Sequence, residues 1–209
     1  MIERVTAAAL LSLASLTAAK PPLTAPARFT ERAPEAFRAK LDTTKGAFVI
    51  EVRRAWAPRG ADRFYNLVKA GFYDDSRFFR VLDGVIAQVG MSGSPEIQSA
   101  WEAARISDDP MQGSNKRGFV SFATAGPDTR TTQFFINLRD NPAFDRERSV
   151  PFGHVTSHMD VVDTLYSGYG DGAPRGRGPH QSLIRTKGNA YLQEDFPKLD
   201  YIKKATIEK

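Results

Sequence analysis

The sequence predicts a mainly β domain in which several short strands make a sheet closed on itself, accompanied by two helices. Short runs of alternating, β-branched or aromatic character recur between Phe37 and Val155, divided by turns containing Gly, Pro or Asp. Only two stretches carry apolar residues at helical spacing. A chain of 209 residues can bury a sizeable core within one such domain.

The elements follow in order. Met1 to Arg4 precede an apolar run, "VTAAALLSLASL", and the small residues Thr17, Ala18 and Ala19. A run of about twelve fits a secretory signal and is too short to span a bilayer. Residues 1–19 are therefore expected to be a signal peptide and the protein periplasmic or secreted, although Glu3 leaves the leading segment without net side-chain charge. Residues 20–36 hold four prolines and no sustained period, which reads as a linker. The domain is expected over 37–209, with a C-terminal extension from about 188.

"FRAKLDTTKGAFVIEVR" gives two alternating runs around a turn at Thr44, Lys45 and Gly46, a hairpin signal. Pro58 opens a helix in which Ala61, Phe64, Leu67 and Val68 recur, with Gly71 as its C-terminal cap. Short strands are then expected at "RFFRV", "GVIAQVG", "RGFVSFA", "QFFINL" and "PFGHV". Ser157 and Asp160 resemble a capping box ahead of a second helix in "MDVVDTLYSG". "GYGDGAPRGRGPHQ" is expected as loop and "SLIRT" as a returning strand; the residues beyond have no clear period.

Composition narrows the chemistry. The chain has no cysteine, which excludes disulfides, thiolate nucleophiles and cysteine metal sites. Its three histidines are not set at metal-ligand spacing with a carboxylate, and the glycine-rich segment lacks the Gly-Lys-Ser/Thr ending of a phosphate loop. The net charge of +5 comes from scattered basic residues, so a solvated surface is expected rather than a nucleic-acid interface.

Strand alternation assigns faces. Phe78 and Arg80 are expected together; Ile86 and Gln88 share one side, with Val85, Ala87 and Val89 on the other. Gln133, Phe135 and Asn137 point away from Phe134, Ile136 and Leu138. One face thus carries a cation, two amides and apolar groups, the composition of a small-ligand or peptide site. Between the strands "FVSFA" and "QFFINL" the connector is longer than a hairpin turn needs, and it contains Gly126, Pro127, Asp128 and Arg130.

"FFRVLDGVIAQVG", then "GFVSFATAGPDTRTTQFFINL", then "FDRERSVPFGHV" together resemble the cyclophilin family of peptidyl-prolyl cis-trans isomerases, in an exported bacterial form, over roughly Phe37 to Ile184. The resemblance implies a closed eight-stranded antiparallel β-barrel capped by two α-helices, and an isomerase acting on Xaa-Pro bonds. Arg80 falls on the catalytic arginine. Val85, Ile86, Gln88, Ala123, Thr124, Ala125, Gln133, Phe135, Phe144 and Ser149 fall on substrate-binding positions. Val85 and Ile86 stand where members usually have Phe and Met, and Thr124 replaces a common Asn. Where many members have Trp-Leu-Asp and a later His, the chain reads Ala143-Phe144-Asp145 with Arg148 and Ser149. No cofactor or metal is implied; the partners implied are proline-containing polypeptides, and the protein is expected to be a monomer with no membrane span after signal cleavage. A groove that binds proline peptides with little or no catalysis is the alternative reading.

Overall fold

The computed structural model of the chain describes residues 21–208, so the stretch expected as a signal peptide lies outside the described residues. The N-terminal hairpin forms as the alternation predicts: β1 (Ala36–Thr43) pairs antiparallel with β2 (Gly46–Arg53), with Thr43 opposite Gly46. Thr43 Oγ1 donates to Gly46 O at 2.7 Å and ties the turn. α1 (Pro58–Ala70) starts on a proline, whose absent N–H would have had no helical partner there, and ends at Gly71 in the left-handed region, φ 80°.

The other strands are β3 (Ser76–Arg77), β4 (Arg80–Leu82), β5 (Ile86–Val89), β6 (Phe119–Phe122), β7 (Phe134–Asn137), β8 (Pro151–Ser157) and β9 (Tyr201–Glu208). All nine join one antiparallel sheet in the order β3-β9-β1-β2-β8-β6-β7-β5-β4. Its edge strands, β3 and β4, are separated in the chain only by Phe78 and Phe79, so the sheet has to curl until its two edges approach. The fold is therefore mainly β, but with nine strands in a curled sheet rather than eight in a closed barrel.

α1 lies against the sheet through Ala61, Phe64, Leu67 and Val68, all buried. The Phe64 ring meets Phe134 edge-on at 5.4 Å and lies 5.0 Å from Phe152, which holds the helix over β7 and β8. Full burial of such a ring contributes about 1.5–3 kcal/mol.

Several elements differ from expectation. "RFFRV" is two strands, because the backbone leaves the extended ladder at Phe78 and Phe79. Phe78 consequently enters the main core while Phe79 joins a smaller cluster with Met91, Ile184, Tyr191, Leu192 and Leu199. The capping box does not form: Ser157 is the last residue of β8, and α4 (Met159–Asp163) is a short helix whose N-cap is His158. α2 (Pro95–Glu102) and α3 (Ala143–Arg146) are additional short helices. "SLIRT" is helical, part of α5 (Gln181–Asp195), which bends at Gly188. Residues after 188 complete α5 and supply β9, which sits between β3 and β1. Residues 21–35 run along the domain: Leu23 O accepts from Trp101 Nε1 at 2.7 Å, Phe29 packs 5.6 Å from Trp101, and Ala33 N donates to Asp62 Oδ1 at 2.9 Å.

Candidate active site

Three neighbouring strands set the centre of the site in one row. Arg80 on β4 lies opposite Gln88 on β5, and Gln88 lies opposite Phe135 on β7. Directly opposed residues share a face of the sheet, so the guanidinium, amide and ring project together. Ile86 lines the same cleft, whereas Ala87, Val89, Phe134 and Ile136 fill the core behind it. Within β5 and β7 the alternation read from the sequence is thus the alternation seen.

These side chains face an open cleft of about 520 Å³. Phe135 forms its floor, with the Phe144 ring of α3 edge-on at 5.2 Å. Ser149, buried, and Glu147, exposed, follow α3 along the same rim. Ala123 and Thr124 form a ledge, and Ala123 N donates to Gln133 O at 2.9 Å, which continues the β6–β7 pairing to the cleft.

A hydrogen-bond relay runs under the cleft. Arg80 Nη1 donates to Gln88 Oε1 at 3.1 Å, Gln88 Nε2 donates to Gln133 Oε1 at 2.9 Å, and Gln133 Nε2 lies 3.5 Å from Gln181 Oε1. Gln133 therefore acts on Gln88 and is absent from the residues lining the cleft. Val85 and Ala125 are also absent from them. Val85 belongs to the turn between β4 and β5, its N–H donating to Leu82 O at 2.9 Å, and Ala125 sits in the turn beyond the ledge, its N–H donating to Thr129 Oγ1 at 2.9 Å.

The sequence reading missed the opposite wall. Asp171, Gly172, Ala173, Pro174 and Arg175 line the cleft, followed by Pro179, His180 and the start of α5. Arg80 Nε donates to Asp171 Oδ1 at 2.7 Å and Nη2 reaches Oδ2 at 3.3 Å. Those hydrogen bonds hold the Asp171 carboxyl below the usual carboxylate range, against partial burial that raises it, with further help from the Arg80 charge, the Gly172 N–H and Arg175. One carboxylate within a dense glycine run was the signal, since clustered glycine marks close backbone approach. Phe79 was missed as well, because strict alternation through "RFFRV" put Phe78 in its place.

The row of Arg80, Gln88 and Phe135 itself offers a cation, an amide and an apolar ring rather than a nucleophile; Arg175, Arg185, Ser149 and Ser182 stand on the surrounding walls. Among the described residues, no group of three or more His, Cys, Asp or Glu side chains is arranged to hold a metal ion, and no helix is long and apolar enough to cross a membrane.

The family model described as cyclophilin type peptidyl-prolyl cis-trans isomerase/CLD matches residues 38–183, which span both the strand row and the cleft walls up to α5. The chain belongs to the cyclophilin-type peptidyl-prolyl cis-trans isomerase family. Among curated cyclophilin relatives, a peptidyl-prolyl cis-trans isomerase of Helicobacter pylori is 36% identical over 137 residues, covering 62% of this chain and 81% of the relative. The peptidyl-prolyl cis-trans isomerase cyp18 of Streptomyces antibioticus is 33% identical over 153 residues, 69% of this chain and 89% of the relative. Relatives at 32% and 33% identity also come from the fungi Gibberella zeae and Schizosaccharomyces pombe, so membership in the cyclophilins does not itself indicate a bacterial exported form. The crystal structure of a cyclophilin type isomerase from Cryptosporidium parvum shares the fold, with a TM-score of 0.58 at 18% identity, covering 83% of this chain and 98% of that one.

Proposed function

We propose that the protein accelerates rotation about Xaa-Pro peptide bonds of polypeptides, as its relatives' names describe for them, and that Arg80 is the catalytic residue. The observation that carries this reading is the row of Arg80, Gln88 and Phe135 facing an open cleft whose apolar floor is completed by Phe144.

The chemistry is modest in its needs. Rotation meets a barrier of about 18–20 kcal/mol because amide resonance is broken, and without a catalyst X-Pro isomerisation takes tens to hundreds of seconds. No covalent bond has to be made or broken. A catalyst has to favour the twisted amide, whose nitrogen becomes pyramidal and regains a lone pair able to accept a hydrogen bond. Arg80 is permanently charged and has rigid planar donors suited to that nitrogen. Phe135, Ile86 and Phe144 supply apolar walls for the proline ring. Gln88 spends its Oε1 on Arg80 and one Nε2 hydrogen on Gln133, which leaves its second Nε2 hydrogen for the substrate carbonyl. Ala123 and Thr124 offer backbone to an extended peptide, a mode of recognition in which main-chain groups give affinity. Thr124 in place of asparagine is compatible with that role.

The natural substrates are inferred to be proline-containing polypeptides met during folding outside the cytoplasm, with the N-terminal apolar run as export signal and the protein acting as a monomer that does not bind nucleic acid. The test of function is a protease-coupled isomerisation assay on an Xaa-Pro peptide. Acceleration by the parent and loss in Arg80→Ala supports the assignment. Peptide binding without acceleration would replace it by the binding-module reading. Fractionation of cells expressing the full chain tests export, and a cytoplasmic, full-length product would overturn it.

A further inference from the structure

The glycine-rich segment 168–181 has no part in the mechanism above, yet it forms one whole wall of the cleft. Its centre is Asp171, whose two carboxylate oxygens meet Arg80 Nε and Nη2 at 2.7 and 3.3 Å. Both side chains are largely withdrawn from solvent, at 22% and 26% exposure. Oδ1 also accepts from Gly172 N at 2.8 Å, which fixes the carboxylate plane to its own backbone.

The glycines are what bring this carboxylate to Arg80. The loop folds back so that Gly178 N donates to Asp171 O at 2.8 Å, and Gly172 bridges Gly178. A Cβ at position 176 would stand 2.3 Å from Asp171 O, and one at 178 would stand 2.8 Å from it. Any larger residue there has to push the Asp171 backbone away. On its far side the loop is anchored by α5, whose Ile184, Tyr191 and Leu192 pack with Phe79 and Met91 beneath the cleft.

Arg80 is consequently gripped from two directions, by Asp171 from the loop and by Gln88 from the neighbouring strand. Three of its five N–H groups are engaged, which leaves two, one on each terminal nitrogen. A bidentate carboxylate fixes the plane of a guanidinium as well as its position.

We propose that Asp171 is a positioning residue for the isomerisation, and that the glycine-rich loop serves to carry its carboxylate to Arg80 and aim the remaining donors at the twisted amide. This rests on the isomerase reading of the same cleft. The benefit belongs to the transition state, because the apolar floor that grips proline in the ground state is made by other residues. Misplacement of a reacting group by about 1 Å can cost on the order of 100-fold.

The test compares kcat and KM of the parent, Arg80→Ala, Asp171→Asn, Asp171→Glu and Gly176→Ala on one Xaa-Pro peptide, each with a denaturation curve. Asp171→Asn keeps the side-chain shape but faces Nη2 with an amide; kcat should fall by roughly 10- to 100-fold with KM changed little. Asp171→Glu should recover part of that loss. Gly176→Ala should lower kcat too, although it leaves every polar group of the site in place. Parent kcat in Asp171→Asn, or a change confined to KM, would overturn the proposal while leaving Arg80 and the isomerase reading intact. A parent chain without isomerase activity, or one indifferent to Arg80→Ala, would overturn both.

Discussion

Arg80 and the groups that touch it set the behaviour of the site at the level of single residues. Between about pH 6 and 8 the Arg80–Asp171 pair stays charged, and the isomerisation rate should be flat. The Asp171 carboxyl is held below its ordinary value by Arg80, so the pair is intact above about pH 3.9, the unperturbed aspartate value, and is lost as pH falls through the lower folded value. A profile of kcat/KM should therefore decline only in that acid region; a decline centred above pH 5 contradicts the assignment. Phe144 tests the floor. Its edge contact with Phe135 is of a kind worth about 0.5–1.5 kcal/mol, so Phe144→Ala should raise KM roughly two- to tenfold and change kcat less. Period-two alternation made Ile86, Gln88 and Phe135 legible as one face, because these residues lie in regular strands. Arg80, the first residue of β4, belongs to that row by its pairing with Gln88. It misassigned Phe78 and Phe79, where the ladder is interrupted. Asp171 was beyond its reach, since it comes to Arg80 from 91 residues away.

The connector between β6 and β7 shows the same limit for whole elements. Its length and polar residues suggest a wall of the substrate site, but residues 125–132 do not line the cleft, and the first part is a turn closed on itself: Thr129 Oγ1 donates to Gly126 O at 2.7 Å and Gly126 N donates to Thr124 Oγ1 at 3.1 Å. The second part turns inward, since Arg130 is fully buried. Arg130 Nη1 donates to Asp109 Oδ2 at 3.0 Å, and the Asp109 carboxylate also accepts from Arg59 N and Gly60 N at 2.9 and 3.0 Å. One buried carboxylate thus caps the N-terminus of α1 and anchors the connector that begins at the substrate ledge. An arginine is expected on the surface by composition alone, and its partner is 21 residues upstream, so the sequence offered no local cue. Removing one partner of a buried pair costs about 3–5 kcal/mol, and urea unfolding of Arg130→Ala should show a loss of that size. A loss under about 1 kcal/mol would mean that the connector is held by other contacts.

Across the whole molecule, the fold class and the central sheet were legible because β1, β2, β5, β6 and β7 are patterned locally. The C-terminal strand was not. Its buried residues Ile202 and Ala205 are three apart, so "YIKKATIE" shows no alternation, yet it joins β1 to β3 inside the sheet. Chain termination after Asp200 should leave β3 without a partner and β1 paired on one side only, with β2, and abolish cooperative urea unfolding; a sharp two-state transition in the shortened protein would show that β9 is dispensable. That closure matters for function, since the curled sheet brings β4 with Arg80 to the seam where α5 and the glycine-rich wall are docked. The most direct measurement is the coupled isomerisation of an Xaa-Pro peptide by the parent chain and Arg80→Ala, beside their unfolding curves. Strong acceleration by the parent, with a loss of at least about 100-fold in a mutant that remains folded, is the result predicted. Equal turnover by the two proteins would contradict it.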